Sequence, residues 1–107
     1  MKNANAQLKM KRTILEGMEC DENVYYCDVI KYDDDRECIY LNLKDAGIEE
    51  ISLDGIYDCT ICKGTEGMMC EGKVLERYCS QDGNILCFQV EKGFYKININ
   101  CVDKEES

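Results

Sequence analysis

The chain has no histidine, no proline and no tryptophan in its 107 residues. Each absence excludes something. Without histidine the usual general base near neutral pH is missing, and with it every Ser-His or Cys-His nucleophile pair. Without proline no strand is demoted by a missing backbone donor. Seven tyrosines stand against two phenylalanines, so much of the large aromatic volume carries a polar tip. No Walker or Rossmann glycine pattern is present. Hydrolase, kinase and dehydrogenase chemistry each lack parts, and we expect no enzyme and no cofactor. Met1 to Arg12 holds no continuous apolar stretch, so it reads as neither a signal peptide nor a membrane span. The expected location is cytoplasmic.

Positive charge is scarce. Thirteen Lys and Arg face 22 Asp and Glu, for a net charge of −9. The sign is unevenly spread: Lys2, Lys9, Lys11 and Arg12 meet no acid before Glu16, whereas from Glu16 to Glu50 the acids swamp Lys31, Arg36 and Lys44. Such a body repels phosphate backbones and anionic lipid. Nucleic acid and membrane are therefore excluded as expected partners, and only the N-terminal segment could engage an anion by charge. Asp33-Asp34-Asp35-Arg36 lacks the alternating ligands, glycine and closing glutamate of a calcium loop, and reads as a solvated turn.

Cysteine is abundant, with nine in the chain. The number is odd and the spacings show no small-scaffold rhythm, which points to reduced thiols used as small hydrophobes. Cys59-Thr-Ile-Cys62 resembles half a zinc knuckle. It lies inside a β-prone run, however, where positions three apart face opposite ways. No second Cys-x-x-Cys completes a tetrahedron, and no helix follows to make a redox pair. Structural thiols are the expectation; zinc held by Cys59 and Cys62, with Cys70 or Cys79, is the weaker alternative.

Along the chain, residues 1–12 read as a basic arm or short helix, the helix being the weaker of the two because Leu8 and Met10 share no helical face. Ile14, Leu15 and Met18 suggest a first strand broken at Gly17. The run 24–32 is strongly β-prone, with Tyr25, Cys27 and Val29 on one face and apolar groups on both. Residues 37–43 alternate cleanly through Ile39, Leu41 and Leu43. A helical turn or irregular crossing fits 44–50. Tyr57, Cys59 and Ile61 line a fourth strand, Gly64 to Gly67 a turn, and 68–78 a fifth strand bent or bulged at Gly72. Asn84 to Val90 makes a sixth, with Leu86, Phe88 and Val90 on one face. Lys92-Gly93 then turns into a short seventh strand, 94–99. Turn signals recur roughly every 8–15 residues with no helical period between them. The expected fold is all-β: a small antiparallel barrel of six to seven strands, split in character, with the arm at 1–12, one domain over 13–101 and a frayed tail at 102–107.

Gly17, Leu53-Asp54-Gly55 and Val74-Leu75-Glu76-Arg77-Tyr78, in that order, resemble the small split barrel that precedes PilZ domains in flagellar-brake proteins. That resemblance implies a non-enzymatic regulatory module acting through a protein partner or through self-association as a homo-oligomer. Glu50-Ile-Ser52-Leu-Asp-Gly55 is also similar to the Asp/Asn-x-Ser-x-x-Gly element of PilZ itself, a family that binds cyclic di-GMP. This second likeness implies a cyclic dinucleotide site built from Lys11, Arg12, Ser52 and Gly55. The family's Arg-x-x-x-Arg is absent, and lysine does not replace its planar fork. The split-barrel likeness implies, third, a flavin site, for which Thr60, Lys73 and Arg77 are the available groups.

Overall fold

In a computed structural model, described for residues 4–14, 17, 19–44, 46–81 and 83–98, the chain is all-β. Six strands follow one another: β1 (Asn5–Thr13), β2 (Val24–Asp33), β3 (Cys38–Lys44), β4 (Gly55–Lys63), β5 (Glu66–Ser80) and β6 (Gly83–Asn98). A 3-10 turn at Ile48–Glu50 interrupts the passage from β3 to β4. Every ladder is antiparallel, and the order β1-β2-β3-β6-β5-β4 closes because β4 pairs back onto β1. Among the described residues no helix is long and apolar enough to cross a membrane.

Period-two alternation builds the interior. Ala4, Ala6, Leu8 and Met10 point inward beside Tyr25, Cys27 and Val29, Ile39, Leu41 and Leu43, Tyr57, Cys59 and Ile61, and Leu86, Phe88 and Val90. Each fully buried large side chain contributes roughly 1.5–3 kcal/mol relative to exposure. The crossing from β3 to β4 lies over one mouth and lowers the buried Ile51 into it. There the Ser52 N–H donates to the Tyr57 hydroxyl at 3.0 Å. The Arg77 guanidinium gathers the carbonyls of Ile48 (3.2 Å), Glu49 (3.3 Å) and Ile51. The Ile48 carbonyl also accepts the Ile51 N–H at 3.1 Å, so Arg77 reinforces the end of the turn.

Three sequence expectations are corrected. Of the segment read as a basic arm, residues 5–12 belong to barrel strand β1 and residues 1–3 lie outside the described residues: Leu8 and Met10 share no helical face, but Ala4, Ala6, Leu8 and Met10 share a strand face. Of the strand expected through Ile14, Leu15 and Met18, Thr13 is the last residue of β1, and Ile14, Gly17, Glu19 and Cys20 lie in the connection to β2; Leu15, Glu16 and Met18 lie outside the described residues. Ile14 is exposed, and the connection is pinned where the Cys20 thiol donates to the Met10 carbonyl at 3.6 Å. Finally, Lys92-Gly93 is no turn. Val90 opposes Gly72 and Lys92 opposes Glu71, so the signal marks an extra residue in one continuous strand. The described strands run from Asn5 to Asn98 and so take in residues before 13, while the end expected at 101 and the tail at 102–107 lie outside the described residues. The β4–β5 hairpin is also tighter than expected, with only Gly64 and Thr65 between Lys63 and Glu66.

At Gly72 the β5 backbone comes close against β6. A Cβ there would overlap the Gln89 carbonyl oxygen and crowd the Phe88 ring at 3.1 Å, whereas a Cβ at Gly93 would meet nothing within 4 Å. Gly72→Ala is expected to cost more than about 4 kcal/mol or to prevent folding, as two backbones must separate. Gly93→Ala is expected to stay within about 1 kcal/mol of wild type. Urea denaturation of the two variants checks the contrast.

Candidate functional site

Three cations gather around one carboxylate. A bulge in β1, where Met10 opposes Tyr57 but Arg12 opposes Ile56, inserts Lys11 and sends both cations to the outer surface. Glu71 on β5 opposes Asp58 of β4 on one side and Lys92 of β6 on the other. The Lys11 ammonium donates to Glu71 Oε1 at 2.7 Å, and Arg12 and Lys92 each stand 3.8 Å from Oε2. The Glu71 side chain is only 8% exposed, while its three partners are largely in solvent. Hydrogen bonding from Lys11 holds the Glu71 carboxyl below its usual range against the opposing effect of desolvation. Reciprocally, Glu71 raises the Lys11 ammonium, with help from Asp58.

The four residues of the expected cyclic dinucleotide site end up on two different tasks. Lys11 and Arg12 face Glu71. Gly55, opposite Thr13, is buried with Met10 and Tyr57 against its Cα. The Ser52 hydroxyl accepts the Asp54 N–H at 3.0 Å and so closes its own turn. The flavin candidates also lie apart. Thr60 opposes Met69, and Lys73 and Arg77 follow further along β5. Lys73 stands 3.7 Å from Glu91, and Arg77 is engaged by the crossing.

Five of the eight described thiols are buried, and Cys20 and Cys79 are exposed. Cys59 is buried inside and Cys62 is half-exposed on the other face, so the pair does not converge. Cys59 instead opposes Cys70. The Cys70 thiol and burial together drive the Cys59 thiol well above its ordinary range, and burial pushes Cys27 up to about 12. Protonated thiols are neither nucleophiles nor metal ligands. All described cysteines are free, and among the described residues no cluster of Cys, Asp or Glu is arranged to hold a metal.

A feature that sequence reasoning missed lies on the outside of the β2-β3-β6-β5 wall. Ile30 is the extra residue of a bulge in β2, after which Lys31 opposes Tyr40. Asn42, Ile85 and Tyr78 then form one cross-strand row, and Tyr40, Cys87 and Glu76 form another. Ile85 and Cys87 are buried although they point away from the core. Ile30, Lys31, Tyr40, Asn42, Tyr78, Ser80 and Ile85 line an open groove of about 560 Å³, and the Lys31 ammonium sits 4.7 Å from the Tyr40 ring centre. The signal was present as apolar residues on both faces of β2, though only register aligned them with β5. A second hollow of about 530 Å³ between Asn5, Gln7, Tyr26, Asp28, Lys44 and Cys62 is more polar and is crossed by a Lys44–Asp28 ion pair of 3.0 Å.

No protein family, curated protein or solved structure matches the chain.

The charge cluster has a defined pH signature. Because the Glu71 pKa is lowered on folding, its stabilisation is present above the unfolded carboxylate pKa and is lost as pH falls through the folded value. The raised Lys11 pKa acts in reverse: its stabilisation is present below the unfolded ammonium pKa and is lost as pH rises through the folded value. Glu71→Gln is expected to be less stable than wild type at neutral pH, with the difference shrinking on acidification below the ordinary glutamate pKa. Thermal unfolding of both proteins across the acid range measures this.

Proposed function

We propose that the protein is a non-catalytic binding module that docks a protein partner on the outer β2-β3-β6-β5 groove, the partner carrying apolar or aromatic side chains ringed by basic ones. The observation that carries this reading is the outward but buried Ile85 in the groove, flanked by Ile30, Tyr40, Tyr78 and the Lys31–Tyr40 stack. Aromatic groups around a small apolar floor are the composition that interface centres favour. The net charge of −9 supports a basic partner over self-association, since two copies repel while a cationic surface is steered inward. The missing histidine and the raised thiols favour binding over chemistry.

Replacing Tyr78, which is 42% exposed, by a photo-crosslinking phenylalanine tests the reading. In cells it is expected to trap a basic protein, and the same probe at Thr65 in the β4–β5 turn is not. Purified, that partner should bind with an affinity that falls as salt rises, and Tyr78→Ala should weaken it about tenfold, or ~1.4 kcal/mol. Equal trapping from Thr65, or trapping of a second copy of the chain, would remove the groove from consideration.

The cyclic di-GMP reading, carried by the likeness of Glu50 to Gly55, makes the opposite demand on the other surface. A cyclic dinucleotide would have to take Lys11 and Arg12 away from Glu71, and no planar arginine pair is present to do it with. Isothermal calorimetry is expected to show no binding. Micromolar binding abolished by Arg12→Ala would replace the present proposal with that one.

A further inference from the structure

β6 is longer than closure of the barrel requires. From Asn84 to Gln89 it lies between β3 and β5. The Val90 N–H still donates to the Glu37 carbonyl, at 2.9 Å. From Glu91 to Asn98 its ladder is with β5 alone, and among the described residues no strand pairs with its other side. Residues of an antiparallel strand alternate in the direction of their N–H and C=O groups, so part of this stretch offers donors and acceptors outward. At about 3.3 Å per residue the open edge is about 26 Å long. Glu91, Lys92 and Gly93 are exposed, so the edge is accessible at that end.

The position beside this edge is in line with β3, and one structure stands at its end. The β2–β3 hairpin carries Asp33, Asp34, Asp35 and Glu37 against Arg36. Its geometry is held by Asp33, whose carboxylate accepts the N–H groups of Asp35 (3.1 Å) and Arg36 (3.3 Å), and by Glu37 in the left-handed region at φ 52°. A strand added beside β6 would therefore abut three more carboxylates than cations. Every existing ladder is antiparallel, which is also the slightly stronger pairing. An antiparallel guest would run in the direction of β3 and present its C-terminal end to the hairpin.

We infer that the Glu91–Asn98 edge takes up an extended segment of a protein partner as an added antiparallel strand, and that the acidic β2–β3 hairpin selects segments whose C-terminal end is cationic. Main-chain hydrogen bonds supply the affinity in this mode of recognition, and the flanking charges supply the choice. An exposed edge otherwise templates association of copies, but two copies of this chain would each bring a charge of −9. The edge is separate from the outer groove, so either surface can fail without the other.

Amide hydrogen exchange on the full chain tests the inference, with a short amidated peptide of alternating threonine and valine ending in two lysines as the probe. In the free protein the outward amides of β6 beyond Val90 are expected to exchange fast while those facing β5 are protected. The peptide should slow the outward set selectively, and it should bind about tenfold more tightly than the same peptide ending in two glutamates. Asp34→Lys with Asp35→Lys should reverse that preference. Glu22→Lys with Glu49→Lys makes the same change of charge on connections at the other ends of β2 and β3 and should leave the preference intact. Protection of the outward amides in the free protein overturns the inference. So does a peptide that protects other strands or none, an equal effect of the two charge reversals, or self-association at this edge.

Discussion

The contact on which most of this structure depends is the approach of the β5 backbone at Gly72 to the β6 carbonyl at Gln89. No other residue type fits there, because a single added carbon would stand inside the oxygen. The approach lets two very long strands bend sharply where they would otherwise run flat. Beyond it, the extra residues of β6 shift the register so that Lys92 comes opposite Glu71. Bulges spend one ladder position to gain local bend and twist, and this barrel uses several around its circumference. A second, at Leu75, reverses the facing of the later part of β5. Arg77 then falls opposite the inward Leu86 and reaches the crossing at the mouth.

The same register shifts divide the surface into regions of different chemistry. Around Glu71, cations from β1 and β6 converge over β4 on a carboxylate that is nearly buried. A carboxylate so placed must be matched, since leaving it uncompensated would be strongly destabilising. The principal basic group of residues is thus engaged with the protein itself. On the opposing wall, Tyr40 and Tyr78 flank aliphatic and thiol groups that are shielded from solvent without belonging to the interior. Polar tips and apolar bodies together account for that wall. The scarcity of phenylalanine and the wealth of tyrosine suit a small barrel with an apolar patch outside as well as inside.

Much of the fold was legible in the residues. The inward triplets of β2, β3, β4 and β6, the bend at Gly72, the opposite facing of Cys59 and Cys62 and the single turn before β4 all follow from period two, glycine placement and strand parity. The first strand was not legible because only Thr13 in Asn5–Thr13 is β-branched, none is aromatic, and Asn5, Ala6, Lys9 and Lys11 favour strands weakly. Its alternation was complete, but its composition suggested an arm. Lys92-Gly93 misled for the opposite reason: a turn-like dipeptide also serves as a bulge, and the choice depends on the partner strand. Of the candidate site, Lys11 and Arg12 were singled out for their charge, but the residue that occupies them was not. Glu71 is one glutamate among many until β5 is laid beside β4.

By itself the sequence determined an all-β chain with an alternating interior, thiols suited to packing, an acidic surface and no histidine-based chemistry. Those properties are local, set by side-chain type and by the two-residue period of a strand. Tertiary structure alone decided which strands are neighbours and where each ladder slips. It thereby decided that Glu71 meets Lys11, that Ile85 lies buried on the outside between Asn42 and Tyr78, and that β6 outruns β3. The physical reason is that cross-strand contact depends on register, and a shift of one residue sends every later side chain to the other face.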